Sequence, residues 1–195
     1  MLKHNVTGIV LAGGSSSRMG KEKGFMEYAG KSLIRYALEA LEGLCGQIII
    51  SANSSHYDLL GYPVQRDIFP SSGPMGGIYS CLLRSETDHN LVLPCDTPGI
   101  TSEFLEMLLN ESDGFQVVIS SSKPGLPEPL IGYYNKNNTT GLLPFIKTGN
   151  YKLMNYIETA LVKIIPIYKR PEIFNSNLFI NINSPEDLEN SKGVT

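Results

Sequence analysis

The stretch Leu11-Ala-Gly-Gly-Ser-Ser-Ser-Arg-Met-Gly-Lys-Glu-Lys23 places a glycine pair, three serines and three cations directly after the apolar run at residues 6–11. Gly13 and Gly14 let the main chain turn sharply and bring its N–H groups against an anion, while Arg18 and Lys23 add mobile positive charge. Leu11 to Gly14 would hold a nucleotide, with main-chain groups near the base and the triphosphate. A second run, Asn90-Leu-Val-Leu-Pro-Cys-Asp, ends in Asp96, so a carboxylate stands just past a buried-type strand and Pro98 stops the ladder. Such a carboxylate is either a turn or capping residue or an oxygen ligand for Mg²⁺, which takes one or two carboxylates together with substrate phosphates.

Two commoner phosphate motifs are excluded by spacing. Gly14 to Gly20 encloses five residues where a P-loop has four, and Lys21 is followed by Glu22 instead of a hydroxyl. Gly24 to Gly30-Lys31-Ser32 also encloses five, with bulky side chains where an open backbone is needed. No G-x-G-x-x-G dinucleotide turn is present here. Lys3, Lys21 and Lys31 read as solvated surface charges. By composition alone Asp67, in Gln65-Arg66-Asp67 before a Ser/Gly/Pro loop, is an ordinary turn former.

The first block resembles the signature of nucleotidyltransferases that make activated sugars, isoprenoid precursors and molybdenum cofactors, and its form is most similar to the molybdenum cofactor guanylyltransferase family. Further blocks follow in the same order: Ile48-Ile-Ile-Ser-Ala-Asn53, Arg66-Asp67, Gly73-Pro-Met-Gly-Gly77, Leu93-Pro-Cys-Asp-Thr-Pro98, Glu128-Pro-Leu130 and Asn181-Ile-Asn-Ser-Pro-Glu-Asp-Leu188. The resemblance spans nearly the whole chain. It implies transfer of GMP from Mg²⁺-GTP to the terminal phosphate of molybdopterin, with release of pyrophosphate. It implies Leu11, Ala12, Gly13, Gly14, Lys23, Ser51, Asn53, Asp67 and Asp96 as nucleotide contacts, and Arg18, Lys23 and Asp96 as the catalytic group. Asp96 with Asn183 would hold the metal, and Lys152, Asn181 and Asn183 would face the acceptor.

Two positions depart from the family: Ser51 stands where members carry asparagine, and Lys152 where related chains often have an arginine with its forked donors. The alternatives are a CTP-dependent molybdopterin cytidylyltransferase, a sugar- or alcohol-phosphate nucleotidyltransferase, and a non-catalytic nucleotide-binding subunit. Retention of both Lys23 and Asp96 argues against the last. Other cofactor-biosynthesis proteins and recipient molybdoenzymes are the further partners implied.

His4, His56 and His89 lie apart from every motif. The chemistry does not require them, because a phosphate monoester is largely a dianion at neutral pH and attacks phosphorus without a strong base. Catalysis of this kind comes from in-line positioning and charge neutralisation.

These groups need a frame. At 195 residues, 42% hydrophobic and 18% charged, the chain has the composition of one globular domain, with a nucleotide part over about 1–100 and an acceptor part over about 101–195. A net charge of −3 without a basic run excludes a nucleic-acid surface, and no apolar segment approaches the ~20 residues of a membrane span, so a cytoplasmic protein is expected. Cys45, Cys81 and Cys95 lack zinc or disulfide spacing; Cys45 and Cys81 read as core fillers.

Strands are expected at 6–11, 47–51, 64–66 and 90–93, separated by helices at 31–45 and 76–83 in βαβ fashion. Thr101 or Ser102 caps a helix through Leu109. Strands then follow at 115–121 and 130–134 across a loop at 124–129, with helices at 139–147 and 152–159 and a strand at 163–167. Ser184-Pro185 opens a terminal helix. The whole predicts a three-layer α/β/α sandwich of the nucleotide-diphospho-sugar transferase type, with a Rossmann-like, mostly parallel sheet and one antiparallel strand.

Overall fold

The computed structural model describes residues 5–13, 22–182 and 187. In chain order the elements are β1 (Val6–Leu11), β2 (Glu27–Tyr28), β3 (Lys31–Ser32), α1 (Leu33–Glu42), β4 (Gln47–Ser51), β5 (Val64–Gln65), α2 (Gly73–Arg84), β6 (His89–Pro94), α3 (Ser102–Asn110), β7 (Val117–Lys123), β8 (Leu126–Asn135), α4 (Asn138–Lys147), α5 (Leu153–Ile157) and β9 (Val162–Pro166). Seven strands form one sheet in the order β5-β4-β1-β6-β8-β7-β9. β8 runs antiparallel to both β6 and β7, and every other pairing in that sheet is parallel.

β1 is buried throughout, and apolar except for Thr7, because helices cover both its faces. Val6 and Val10 enter a core with Ile34, Leu38, Phe104 and Leu108 of α1 and α3. Ile9 and Leu11 point the other way, against Met75, Ile78 and Leu142 of α2 and α4. The layers are therefore helix, sheet, helix. Strand order reverses around β1, which has β4 on one side and β6 on the other, so the crevice of this fold opens at the carboxyl ends of these strands.

Several boundaries differ from the sequence expectation. Lys31 and Ser32 do not begin α1 but form β3, paired antiparallel with β2. Two-residue strands are too short to show a periodic pattern. α2 starts three residues early, at Gly73, because its glycines mask a helix that Pro74 at the first turn initiates. The loop expected at 124–129 contracts to Pro124-Gly125, with Gly125 at φ 73°, so β8 begins at Leu126. A Pro-Gly pair supplies the conformations of a tight type II turn. Thr101, whose hydroxyl accepts from the Phe104 N–H at 3.3 Å, caps α3, and Ser102 donates instead to the Ala40 carbonyl. α5 ends at Ile157, and the strand expected at 163–167 occupies Val162–Pro166. The helix expected from Ser184 lies outside the described residues.

Among the described residues no helix is long and apolar enough to cross a membrane. Cys81 is fully buried and Cys45 half-buried, and burial pushes both thiols up to about 12, which suits inert filling of the core.

Candidate active site

Main-chain bonds tie the carboxyl ends of the central strands together. The Ala12 N–H donates to the Ser51 carbonyl at 2.9 Å, the Cys95 N–H to the Leu11 carbonyl at 3.0 Å, and the Ala52 N–H to the Gln65 carbonyl at 3.1 Å. Leu11 and Ala12 are buried, whereas Gly13 emerges into solvent at the mouth of the crevice. Gly14, Arg18, Lys21 and Asn183 lie outside the described residues.

On one flank, Lys23 and Asp96 form an ion pair through Asp96 Oδ2, although 73 residues separate them. Lys23 opens a short 3-10 turn (Lys23–Phe25), and Asp96 sits in the turn just beyond β6. Both side chains are 16% exposed, accessible to a ligand yet mostly shielded. Asp96 Oδ1 is buried and has no hydrogen-bond partner among the described residues. A carboxylate oxygen in that state calls for a partner beyond the described residues. Burial, reinforced by the Asp96 carboxylate, pushes the adjacent Cys95 thiol up to about 12 and keeps it neutral beside the pair.

On the other flank, Asn53 and Asp67 exchange two hydrogen bonds. Asn53 Nδ2 donates to Asp67 Oδ2 at 3.0 Å, and the Asp67 N–H donates to Asn53 Oδ1 at 3.0 Å. Ser51 is buried behind them at 4% exposure. This flank meets α2 at Gly77, where a Cβ would stand 2.5 Å from Ser51 Oγ, 3.6 Å from Asp67 Oδ1 and 3.6 Å from Leu11 Cδ2. Only a residue without a side chain leaves room for the Ser51 hydroxyl, while the carboxylate lies at ordinary contact distance.

The chain after β9 returns to this place. The Ile182 N–H donates to the Asp96 carbonyl at 2.9 Å, which brings exposed Asn181 beside the aspartate turn. Lys152 is exposed at the N-terminal boundary of α5, and no ion pair or hydrogen bond joins it to Asp96. Among the described residues no cluster of three or more His, Cys, Asp or Glu could by itself hold a metal.

Gly99 was not legible as a site residue, since nothing but its place after Pro98 marks it. A Cβ there would fall 1.9 Å from the Asn177 carbonyl oxygen and 2.8 Å from its carbon, so the glycine lets two backbones press together behind Asp96. Gly99→Ala is expected to lower stability by about 1–3 kcal/mol through overpacking. Its Tm should fall by several degrees, about 2–4 °C per kcal/mol in a domain of this size. A thermal melt checks it; an unchanged Tm would mean that residues 177–182 yield freely.

The MobA-like NTP transferase domain model matches residues 8–159, and the chain belongs to that family. A probable molybdenum cofactor guanylyltransferase from Flavobacterium johnsoniae is 36% identical over 190 residues, 94% of each chain. A protein of the same description from Carboxydothermus hydrogenoformans is 31% identical, covering 95% of this chain and 94% of its own. Among solved structures, molybdopterin-guanine dinucleotide biosynthesis protein A from Archaeoglobus fulgidus superposes with a TM-score of 0.81 at 26% identity, over 96% of this chain and 97% of that one.

Proposed function

We propose that this chain transfers the guanylyl group of GTP to the terminal phosphate of molybdopterin, forming a guanine dinucleotide cofactor and releasing pyrophosphate. The observation that carries the reading is the Lys23–Asp96 pair at the carboxyl ends of β1 and β6 in a chain of this family. An acceptor phosphate oxygen forms the new bond to the α-phosphorus, and the bond from that phosphorus to the β-phosphate oxygen breaks, its electrons leaving with pyrophosphate.

The donor set fits Mg²⁺. Asp96 would contribute Oδ1, the buried oxygen without a hydrogen-bond partner among the described residues, with the Asn183 amide oxygen as a second protein ligand and substrate phosphates completing the shell. When bound, the ion neutralises charge on the triphosphate. Lys23 would move its ammonium from Asp96 Oδ2 to a phosphate, acting as a point charge, and Arg18 would grip another through its planar fork. The main chain at Leu11, Ala12 and Gly13, with Ser51, Asn53 and Asp67, would bind the nucleoside. Gly14 would extend the phosphate loop.

The nucleotide would occupy the half formed by residues 1–100, and the acceptor would lie against residues 101–195, near Lys152, Asn181 and Asn183. A cytoplasmic site of action belongs to the same proposal. The test is pyrophosphate release with each of the four nucleoside triphosphates, with and without molybdopterin. Release that requires both GTP and molybdopterin is expected, and release indifferent to molybdopterin would overturn the acceptor.

The two lysines of the loop should separate. Lys23→Ala should impair transfer strongly, whereas Lys21→Ala should change it by less than about threefold, as an ordinary surface substitution does. Equal losses in initial-rate measurements would show that the loop is only generally basic.

A further inference from the structure

Tyr57 lies between β4 and β5 in a 3-10 turn (Ser55–Leu60) and is wholly buried. Its ring stacks on Phe25, with centroids 5.0 Å apart and planes at 27°. Its hydroxyl lies under Gly24: a Cβ on that glycine would stand 2.9 Å from the phenol oxygen, 3.0 Å from Tyr57 Cε1 and 3.3 Å from Ile34 Cβ. Both residues that follow Lys23 thus rest on one aromatic side chain.

The hydroxyl is unusual in its own right. It is buried and has no hydrogen-bond partner of ordinary geometry among the described residues. Burial, then the neighbouring Cys95 and Glu22, raise its pKa, and a contact with the Gly24 main chain acts weakly the other way, so it stays a neutral phenol. A phenylalanine would fill the ring's place without burying a hydroxyl that meets only the Gly24 main chain, so packing of the ring alone does not account for a tyrosine here. What the oxygen does occupy is the gap beneath Gly24. The same neighbours, Cys95 and Glu22, are next in the chain to Asp96 and Lys23, which places Tyr57 in the neighbourhood of the ion pair.

We propose that Tyr57 is a positioning residue for Lys23: its ring and hydroxyl form the seat of the Lys23–Phe25 turn and hold the Lys23 ammonium against Asp96. The proposal rests on the reading that Lys23 engages the triphosphate. It also explains why residue 24 is a glycine at a φ that other residues adopt freely, since the constraint is the tyrosine beneath it.

The experiment measures how fast trinitrobenzenesulfonate labels Lys23 in the nucleotide-free protein, read by peptide mass spectrometry, alongside kcat and KM for Mg²⁺-GTP. Lys31, a surface lysine paired with Glu39, serves as internal control. Tyr57→Leu should accelerate labelling of Lys23 about fivefold or more while leaving Lys31 unchanged. It should lower kcat about tenfold or more, as a displaced catalytic group does. Because Tyr57→Leu removes a large core side chain, a second arm uses gentler changes. Gly24→Ala should also accelerate labelling, and should do so much less in the Tyr57→Phe background, where the opposing oxygen is gone.

A folded Tyr57→Leu variant that labels Lys23 at the parental rate would overturn the proposal. So would a Gly24→Ala effect of equal size in both backgrounds. Faster labelling with unchanged transfer would keep the seat and sink the phosphate role of Lys23 instead.

Discussion

Asp96→Ala is expected to keep the fold and lower guanylyl transfer by about 10²-fold or more, roughly 3 kcal/mol at 1.4 kcal/mol per decade. The fold should survive because the contacts that dock the aspartate turn are main-chain ones. The Ile182 N–H bonds the Asp96 carbonyl and the Cys95 N–H bonds that of Leu11, and neither bond needs the side chain. Lys23 would lose this one ion pair, and at 16% exposure its ammonium can be hydrated. Turnover should collapse because the substitution removes Oδ1, the buried oxygen assigned to the metal, together with the charge that balances Lys23. Asp96→Asn, which keeps the shape and removes the charge, should lose nearly as much. The check is a thermal melt beside initial rates across a Mg²⁺ titration. A folded Asp96→Ala protein with near-parental, Mg²⁺-dependent turnover would remove Asp96 from the metal site.

What sequence could say about this fold depended on how each element is buried. β1, β4 and β6 were legible because strands covered on both faces carry unbroken apolar runs, residues 9–11, 48–50 and 91–93 here. α1 was legible because Leu33, Ala37 and Leu41 recur at helical spacing toward one core. β2 and β3 were not, since two residues carry no period. The first turn of α2 was hidden by glycines that exist for close approach: Gly76 makes room for Ser72 and Gly77 for Ser51, and helix propensity records only their cost.

The site divides in the same way. Lys23 and Asp96 could be named because each is a charge at the end of a recognisable run, and the fold brings them together. Asn53 and Asp67 could be named from their blocks, but not their reciprocal hydrogen bonds, which depend on the register of β4 against β5. Tyr57, Gly24 and Gly99 could not be named at all. They act by occupying or vacating space against a backbone from a distant part of the chain, and such contacts leave no spacing to read.

The second large effect expected is discrimination between bases. The proposed base pocket contains a carboxylate, Asp67, whose Oδ2 is engaged by Asn53 and whose Oδ1 lies on the Gly77 side. A carboxylate offers acceptors only. Guanine presents two adjacent donors, N1–H and the 2-amino group, which a carboxylate can receive side by side. Adenine turns an acceptor, its N1, toward the same place, so the two lone pairs would oppose each other. Cytosine likewise lacks a donor at its ring nitrogen, although its smaller ring leaves room for a water to bridge. A buried polar group left unpaired by the wrong base is what separates substrates strongly, and discrimination of about 10⁴-fold in kcat/KM for GTP over ATP is expected. The preference over CTP should be smaller because of that water. Asp67→Ala should narrow the GTP-to-ATP ratio by about 10-fold or more while affecting ATP use little, since it removes one charge-assisted contact of about 1.5–3 kcal/mol. Competition kinetics with paired nucleotides measure both ratios. Faster transfer from CTP than from GTP would move this chain to cytidylyl transfer, and an unchanged ratio in Asp67→Ala would take the base contact away from that carboxylate.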